Sequence, residues 1–134
     1  MTAKIFNISG RRKRAVARAT VKSGNGKILI NCIPLDVITP SINQLRLKEP
    51  LMLAGHISDQ VDIHVNVYGG GISSQTEAAR LVIAKGLVAY TKDEKLRKKF
   101  LEYDRHLLVA DVRRKETCKP NDSKARAKRQ KSYR

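Results

Sequence analysis

The segment Val112–Arg134, VRRKETCKPNDSKARAKRQKSYR, sets the firmest limit on what this chain can fold into. It carries ten Lys or Arg against two acids, and its only apolar residues are Val112, Cys118, Ala125, Ala127 and Tyr133. So little apolar surface cannot offset the entropy of ordering the chain, so the segment has no core of its own. A basic tail of this kind gains structure by lying along a polyanion. The plainer alternative is a solvated tail that only confers solubility. The expected division is therefore a globular domain over 1–111 and an extended basic tail over 112–134.

The rest of the charge supports the first alternative. Residues 1–27 hold eight basic residues and no acid, residues 28–112 hold ten of each, and the whole chain carries +16. A neutral middle between two polycationic ends is the electrostatic footprint of a nucleic-acid binder. At 134 residues one domain with extensions is expected. No apolar run is long enough for a transmembrane helix, and MTAKIFNISG lacks the apolar stretch and cleavage site of a signal peptide. A cytoplasmic protein with no membrane partner is expected. Cys32 and Cys118 form no CxxC, so neither a metal site nor a disulfide is expected; Cys32 reads as core.

Strand periodicity dominates the first half of the chain. Ala3–Ser9 looks like a short strand, interrupted by Gly10 and the four cations Arg11, Arg12, Lys13 and Arg14. Ala15, Ala17, Ala19 and Val21 then alternate with Val16, Arg18, Thr20 and Lys22. Asn25-Gly26 is a tight-turn signal, which predicts a hairpin over Arg14–Asn31. A short helix is expected after Pro34, and a second one opening at Ser41, carrying Ile42, Leu45 and Leu47, which Pro50 breaks or restarts before Leu51–Ala54. Val61, Ile63, Val65 and Val67 alternate with Asp62, His64, Asn66 and Tyr68, the clearest strand in the chain.

Gly69-Gly70-Gly71 follows, then Ser74-Gln75-Thr76-Glu77, a capping box that predicts a helix over 75–90 with Ala79, Val82, Ile83, Gly86 and Tyr90 on its buried face. Thr91–Glu94 reads as a second capping box, opening a short helix through Phe100. Arg105–Asp111 reads as a last strand with Leu107 and Val109 inward. The sum is a two-layer α+β domain with a mixed sheet of about four strands and helices on one face.

Little here suits catalysis. Ser9, Ser41, Ser73 and Ser74 have no adjacent His or Asp arrangement, and the acids balance nearby cations rather than cluster for a metal. No small-molecule substrate and no cofactor are expected. The strand–glycine–helix junction at Gly69, Gly70 and Gly71 can offer amides to a phosphate, or be only a tight turn. It lacks the lysine and the spacing of a nucleotide-binding loop. With few aromatics and no exposed aromatic pair on one strand, base stacking is not the expected mode; phosphate, sugar and shape recognition of structured RNA or duplex DNA is. A small duplex-DNA-binding chromatin-type protein is one alternative, and a soluble interaction domain with an incidental tail is another.

The segments GRRKRAVARATV, GNGKILIN, EPLMLAG, VDIHVNVYGGGISSQTEAARLVIAKGL, DRHLLVADVRRKE and KARAKRQKSYR occur in the order and spacing of a known family. Together they resemble the universal small-subunit ribosomal protein nine family, and the ending KRQKSYR is similar to archaeal and eukaryotic members, the archaeal most of all. The resemblance implies a fold like the second domain of small-subunit protein five, with a left-handed β-α-β crossover that general handedness rules disfavour. It implies a structural role in the head of the small subunit, with ribosomal RNA, peptidyl-site tRNA and neighbouring head proteins as partners. The RNA-binding residues it implies are Arg11, Arg12, Lys13, Arg14, Arg18, Gly69, Gly70, Gly71, Arg113, Arg114, Lys115, Lys119, Lys124 and Arg126. Those implied to reach tRNA are Lys128, Arg129, Lys131, Tyr133 and Arg134. Relatives commonly carry Gly at the position of Ser74 and Ala at that of Thr76, so this chain adds bulk and hydroxyls next to the glycine turn.

Overall fold

The computed structural model describes residues 5–133, so Ala3, Lys4 and Arg134 lie outside the described residues. Eight regular elements follow one another: β1 (Phe6–Arg12), β2 (Ala15–Ser23), β3 (Ile28–Ile30), β4 (Ile33–Pro34), α1 (Ser41–Ala54), β5 (Val61–Tyr68), α2 (Ile72–Thr91) and α3 (Glu94–Tyr103). Single 3-10 turns span Leu35–Val37, Gly55–Gln60 and Arg105–Leu107. The fold is α+β, and its mixed sheet has five strands in the order β1-β2-β5-β3-β4, one more than expected.

The expected Arg14–Asn31 hairpin does not form. β2 pairs antiparallel with β1 on one side and with β5 on the other, while β3 pairs parallel with β5. The sequence-distant strand wins because it offers β2 more. Eight residues of β2, Val16–Ser23, find partners in β5, whereas β3 has only three residues to offer. The Asn25-Gly26 turn is real, with Gly26 at φ 81°, but it wraps around the start of β5 instead of folding back. The Asp62 carboxylate accepts from the amides of Asn25 (2.9 Å) and Lys27 (3.0 Å), and the Gly24 amide donates to the Gln60 carbonyl. Those amide bonds hold the Asp62 carboxyl below its ordinary range.

The true hairpin lies upstream. Arg12 pairs with Ala15, so Lys13 and Arg14 form a two-residue loop, with Lys13 at φ 54°. Strand β1 thus runs on through Gly10, Arg11 and Arg12, which were expected to interrupt it.

Helix α2 packs on β1, β2 and β5 with one face and on α1 and α3 with another. Small residues permit the close approach: Ala15, Ala17 and Ala19 face it from β2, and a Cβ on Gly86 would come within 2.8 Å of Val21. The core is built from these alanines, Val21, Val61, Ile63, Val65, Ala79, Val82, Ile83, Leu87, Phe100 and Leu107.

Other expectations need correction. α1 continues through Pro50, which is buried with Asn43, Leu47 and Ala54 on one stripe; packing overrides the missing amide, and Ile42 and Leu45 point outward. Arg105–Asp111 is not a strand, because Asp104 accepts from the His106 amide and starts a 3-10 turn that buries Leu107 and leaves Val109 exposed. Asp93 alone caps α3, by accepting from the Lys95 amide. Cys32 is exposed rather than core. Among the described residues no helix or strand lies beyond Leu107. The tail bends at two places, where the Asp122 amide donates to Lys119 and the Ala127 amide to Lys124, so it is not uniformly extended.

Candidate nucleic-acid interface

The β1–β2 loop displays its charge because alternation leaves it no choice. Phe6, Ile8, Gly10 and Arg12 face the helices, whereas Arg11 faces solvent and Lys13 and Arg14 occupy the tip. Arg11, Lys13, Arg14 and Arg18 are exposed. Arg12 is not: its Nε donates to Glu77 of α2 at 2.5 Å and its Nη2 lies 3.1 Å from Asp111.

The glycine turn sits directly against this loop. Gly69 and Gly70 adopt φ 74° and 68°, and a Cβ on Gly69 would lie 2.7 Å from the Arg14 carbonyl oxygen. These two glycines are therefore required by the fold itself. Gly71 is different, since a Cβ there would meet nothing within 4 Å. Helix α2 starts at Ile72, with Gly71 as its N-cap and no side-chain cap, so Ser74 does not perform the expected capping. The first-turn amides stay open to an outside partner. Thr76 is buried and its hydroxyl donates to the Ile72 carbonyl, so its extra bulk faces inward rather than across the turn.

The face of the sheet opposite α2 is polar. Asn7, Ser9, Arg11, Arg18, Thr20, Lys22, His64, Asn66 and Tyr68 are exposed on β1, β2 and β5. Arg18 pairs with Ser9 and Asn66 across the strands, and its guanidinium lies 5.9 Å from the Tyr68 ring centroid. Alternation put Arg18 and Lys22 on one side of a strand. Their alignment with Asn66 and Asp62 required the β2–β5 pairing, which the sequence did not reveal.

Both cationic ends of the chain meet beside the hairpin. Arg12 joins Glu77 to Asp111, and Asp111 in turn holds Arg113 at the root of the tail. Next to it Arg80 joins Glu49 of α1 to Asp104, which it contacts at 2.7 Å. The two ion-pair groups line a cavity of about 310 Å³ together with Arg11, Arg46 and His106. Partial burial pushes the Asp104 carboxyl up, but the His106 amide and the Arg80 guanidinium outweigh it and hold the carboxyl below its usual value. Asp111 is held far lower, chiefly by the Arg113 guanidinium and amide, with Arg12 adding to them. Glu49, Asp104 and Asp111 were legible only as acids balancing charge, and Glu77 only as the acid of a capping box; no local pattern marks the four as a cluster.

In the tail, Arg114, Lys115, Lys119, Lys124, Lys128, Lys131 and Tyr133 are exposed. Arg126 reaches Glu116 at 3.1 Å and Arg129 donates to the Asn121 carbonyl at 3.1 Å, both at the surface. Arg134 lies outside the described residues. Among the described residues no His, Cys, Asp and Glu side chains group to hold a metal ion, and no helix is long and apolar enough to cross a membrane.

An α+β domain with exposed cations on its β1–β2 loop and outer sheet face, continued by a basic tail, has the charge layout of a structural nucleic-acid-binding protein. The family model described as ribosomal protein S9/S16 matches residues 10–134. A protein named small ribosomal subunit protein uS9 from Methanothrix thermoacetophila is 45% identical over 131 residues, covering 98% of this chain and 99% of the relative. One of the same name from Methanococcus maripaludis is 47% identical over 133 residues, with 98% and 99% covered. The chain belongs to the ribosomal protein S9/S16 family and is of the archaeal type. That family is structural, not enzymatic.

Proposed function

We propose that this chain is a structural constituent of the head of the small ribosomal subunit, in the cytoplasm, and that it works in two parts. The domain over 1–111 docks on ribosomal RNA and on neighbouring head proteins, and the tail over 112–134 runs from it through RNA to the peptidyl site. The single observation that supports this reading is the Arg12–Asp111 pair, which brings the root of the tail to the β1–β2 hairpin, against whose loop the glycine turn also packs. Arg11, Lys13, Arg14 and Arg18 contact RNA from the domain, with the amides that follow Gly69, Gly70 and Gly71. Arg114, Lys115, Lys119, Lys124 and Arg126 anchor the tail on RNA phosphates, to which arginine can fork and lysine offers a point charge. Arg12 and Arg113 serve first as internal ties. The β3–α1–β5 crossover is taken to be left-handed, as the family likeness implies.

Lys128, Arg129, Lys131, Tyr133 and Arg134 reach the tRNA. The motive is reach: Lys119 to Arg134 spans up to about 50 Å when fully extended, at about 3.3 Å per residue. The turns at Lys119–Asp122 and Lys124–Ala127 would open along the RNA. Deleting Ser132–Arg134 is expected to leave subunit assembly intact and to weaken tRNA binding at the peptidyl site by about 1–3 kcal/mol, the scale of hydrogen bonds to charged groups. The measurement is tRNA affinity for small subunits carrying the full or shortened chain. Equal affinities would leave the tail as an architectural anchor only.

A further inference from the structure

We propose that Asp111 is the joint that fixes the direction in which the tail leaves the domain; the part of this that concerns tRNA rests on the function proposed above. Regular structure ends at Leu107, yet backbone order extends further because of this one side chain. Its Oδ1 accepts from the Arg113 backbone amide at 2.9 Å, an Asx-type turn that sets the backbone around Val112. Its carboxylate also receives the Arg113 guanidinium as a fork, Nε at 2.9 Å and Nη2 at 2.6 Å on Oδ2. The same Oδ2 lies 3.1 Å from Nη2 of Arg12 in β1, which is itself tied to Glu77 in α2.

One carboxylate therefore binds the first tail residues to β1, and through Arg12 to α2. Its side chain is only 8% exposed, so water competes weakly for it. Past Arg113, the hydrogen bonds among the described residues of the tail are internal to the tail. The last firm attachment to the domain is thus at 111–113, and everything beyond swings from it. A small angular freedom at this root disperses the tail end over a large volume and lowers its effective concentration at a fixed site.

The test uses the full chain with Asp111→Ala, which removes both the turn and the fork, and Arg113→Ala, which removes the fork but keeps the Asp111–Arg12 pair and the amide turn. Backbone order parameters from nitrogen relaxation report the joint. In the unaltered chain Val112 and Arg113 are expected to approach the domain value of about 0.85; in Asp111→Ala order is expected to fall below about 0.6 from Val112 onward, and in Arg113→Ala, which keeps the amide turn, to fall part of the way. Should Asp111→Ala fail to fold, Arg113→Ala decides alone. Unchanged order at Val112 and residue 113 would overturn the joint.

The functional arm is tRNA affinity of small subunits carrying Asp111→Asn, in the full chain and in one ended after Lys115. A loss of about 3–10-fold is expected with the tail, as the fraction of chains holding a binding-competent direction falls, and no loss without it. Equal losses in both backgrounds would overturn the positioning role, since a merely weakened domain would produce them. If ending the chain after Lys115 itself leaves tRNA affinity unchanged, the tRNA reading fails, while the order parameters still decide the joint.

Discussion

Arg80 in the domain and Arg129 in the tail are the same residue with opposite employment. Arg80 is 15% exposed in its side chain and lies between Glu49 and Asp104, where it ties α2 to α1 and to the turn after α3. Arg129 is exposed and touches only a neighbouring tail carbonyl. The same contrast separates Arg12 from Arg11, its neighbour on the other side of the strand. Arg12 and Arg80 of the domain use their charge internally, against acids that the fold brings within reach. The tail meets few acids, and its Arg126–Glu116 contact is too exposed to hold a conformation against solvent and salt. Composition alone cannot distinguish these employments; burial and partners do.

The contrast breaks first under salt. If about 6–10 phosphates are neutralised by the exposed cations, RNA affinity is expected to fall by roughly 10³–10⁵-fold between 50 and 200 mM salt, with the domain still folded throughout. Filter binding alongside circular dichroism would show it, and a salt-insensitive isotherm would refute phosphate-dominated binding. Stability should respond to the domain alone. Ile63→Ala, at a fully buried site in β5, is expected to cost about 2–5 kcal/mol in denaturant unfolding. Ending the chain after Lys115 should leave a single cooperative transition with nearly the same midpoint, because the tail buries almost no apolar area.

The glycine turn sharpens the comparison within one motif. Gly69→Ala is expected to destabilise by about 1–3 kcal/mol, since it forces a side chain into positive φ against the Arg14 carbonyl. Gly71→Ala should leave the melting temperature nearly unchanged, there being open space around it. Its effect, if RNA approaches that turn, is read in RNA affinity.

Acid gives the smallest effect. Asp62, Asp104 and Asp111 hold their protons more weakly when folded, so unfolding takes up protons at low pH. Their contribution is fully present above the unfolded value near 3.8 and is lost as pH falls through the lower folded values. Unfolding midpoints measured from pH 6 down to pH 3 should decline only in the lower part of that range. Asp62→Asn should flatten the decline, and an unchanged curve would remove Asp62 from the account.

Much of the domain was legible from local pattern. Val61–Tyr68 is the strand its alternation announces, and the glycine junction leads into the long helix as read. Errors fell where a local signal met a distant competitor. Asn25-Gly26 predicts a hairpin until β5 supplies a longer partner for β2 and Asp62 captures the turn amides. Leu107 to Val109 alternates like a strand until the Asp104 cap winds it into a turn. Pro50 looks like a helix break until burial among Leu47 and Ala54 outweighs the lost amide. The candidate site divides the same way. Its exposed cations were legible as charge runs, whereas the Glu77–Arg12–Asp111–Arg113 chain joins residues from both ends of the sequence and has no local signature.

By itself the sequence determined the partition of the molecule: which segment can bury a core, which cannot, where net charge accumulates, and which family the motifs resemble. Those are properties of composition and short-range period, set by chain entropy against apolar burial. Tertiary structure alone decided the strand order, which arginines are tied down in ion pairs, and that the root of the tail is tied to β1. Each of these depends on contacts between residues far apart in the chain, whose free energy exists only once the competing pairings have been resolved in space.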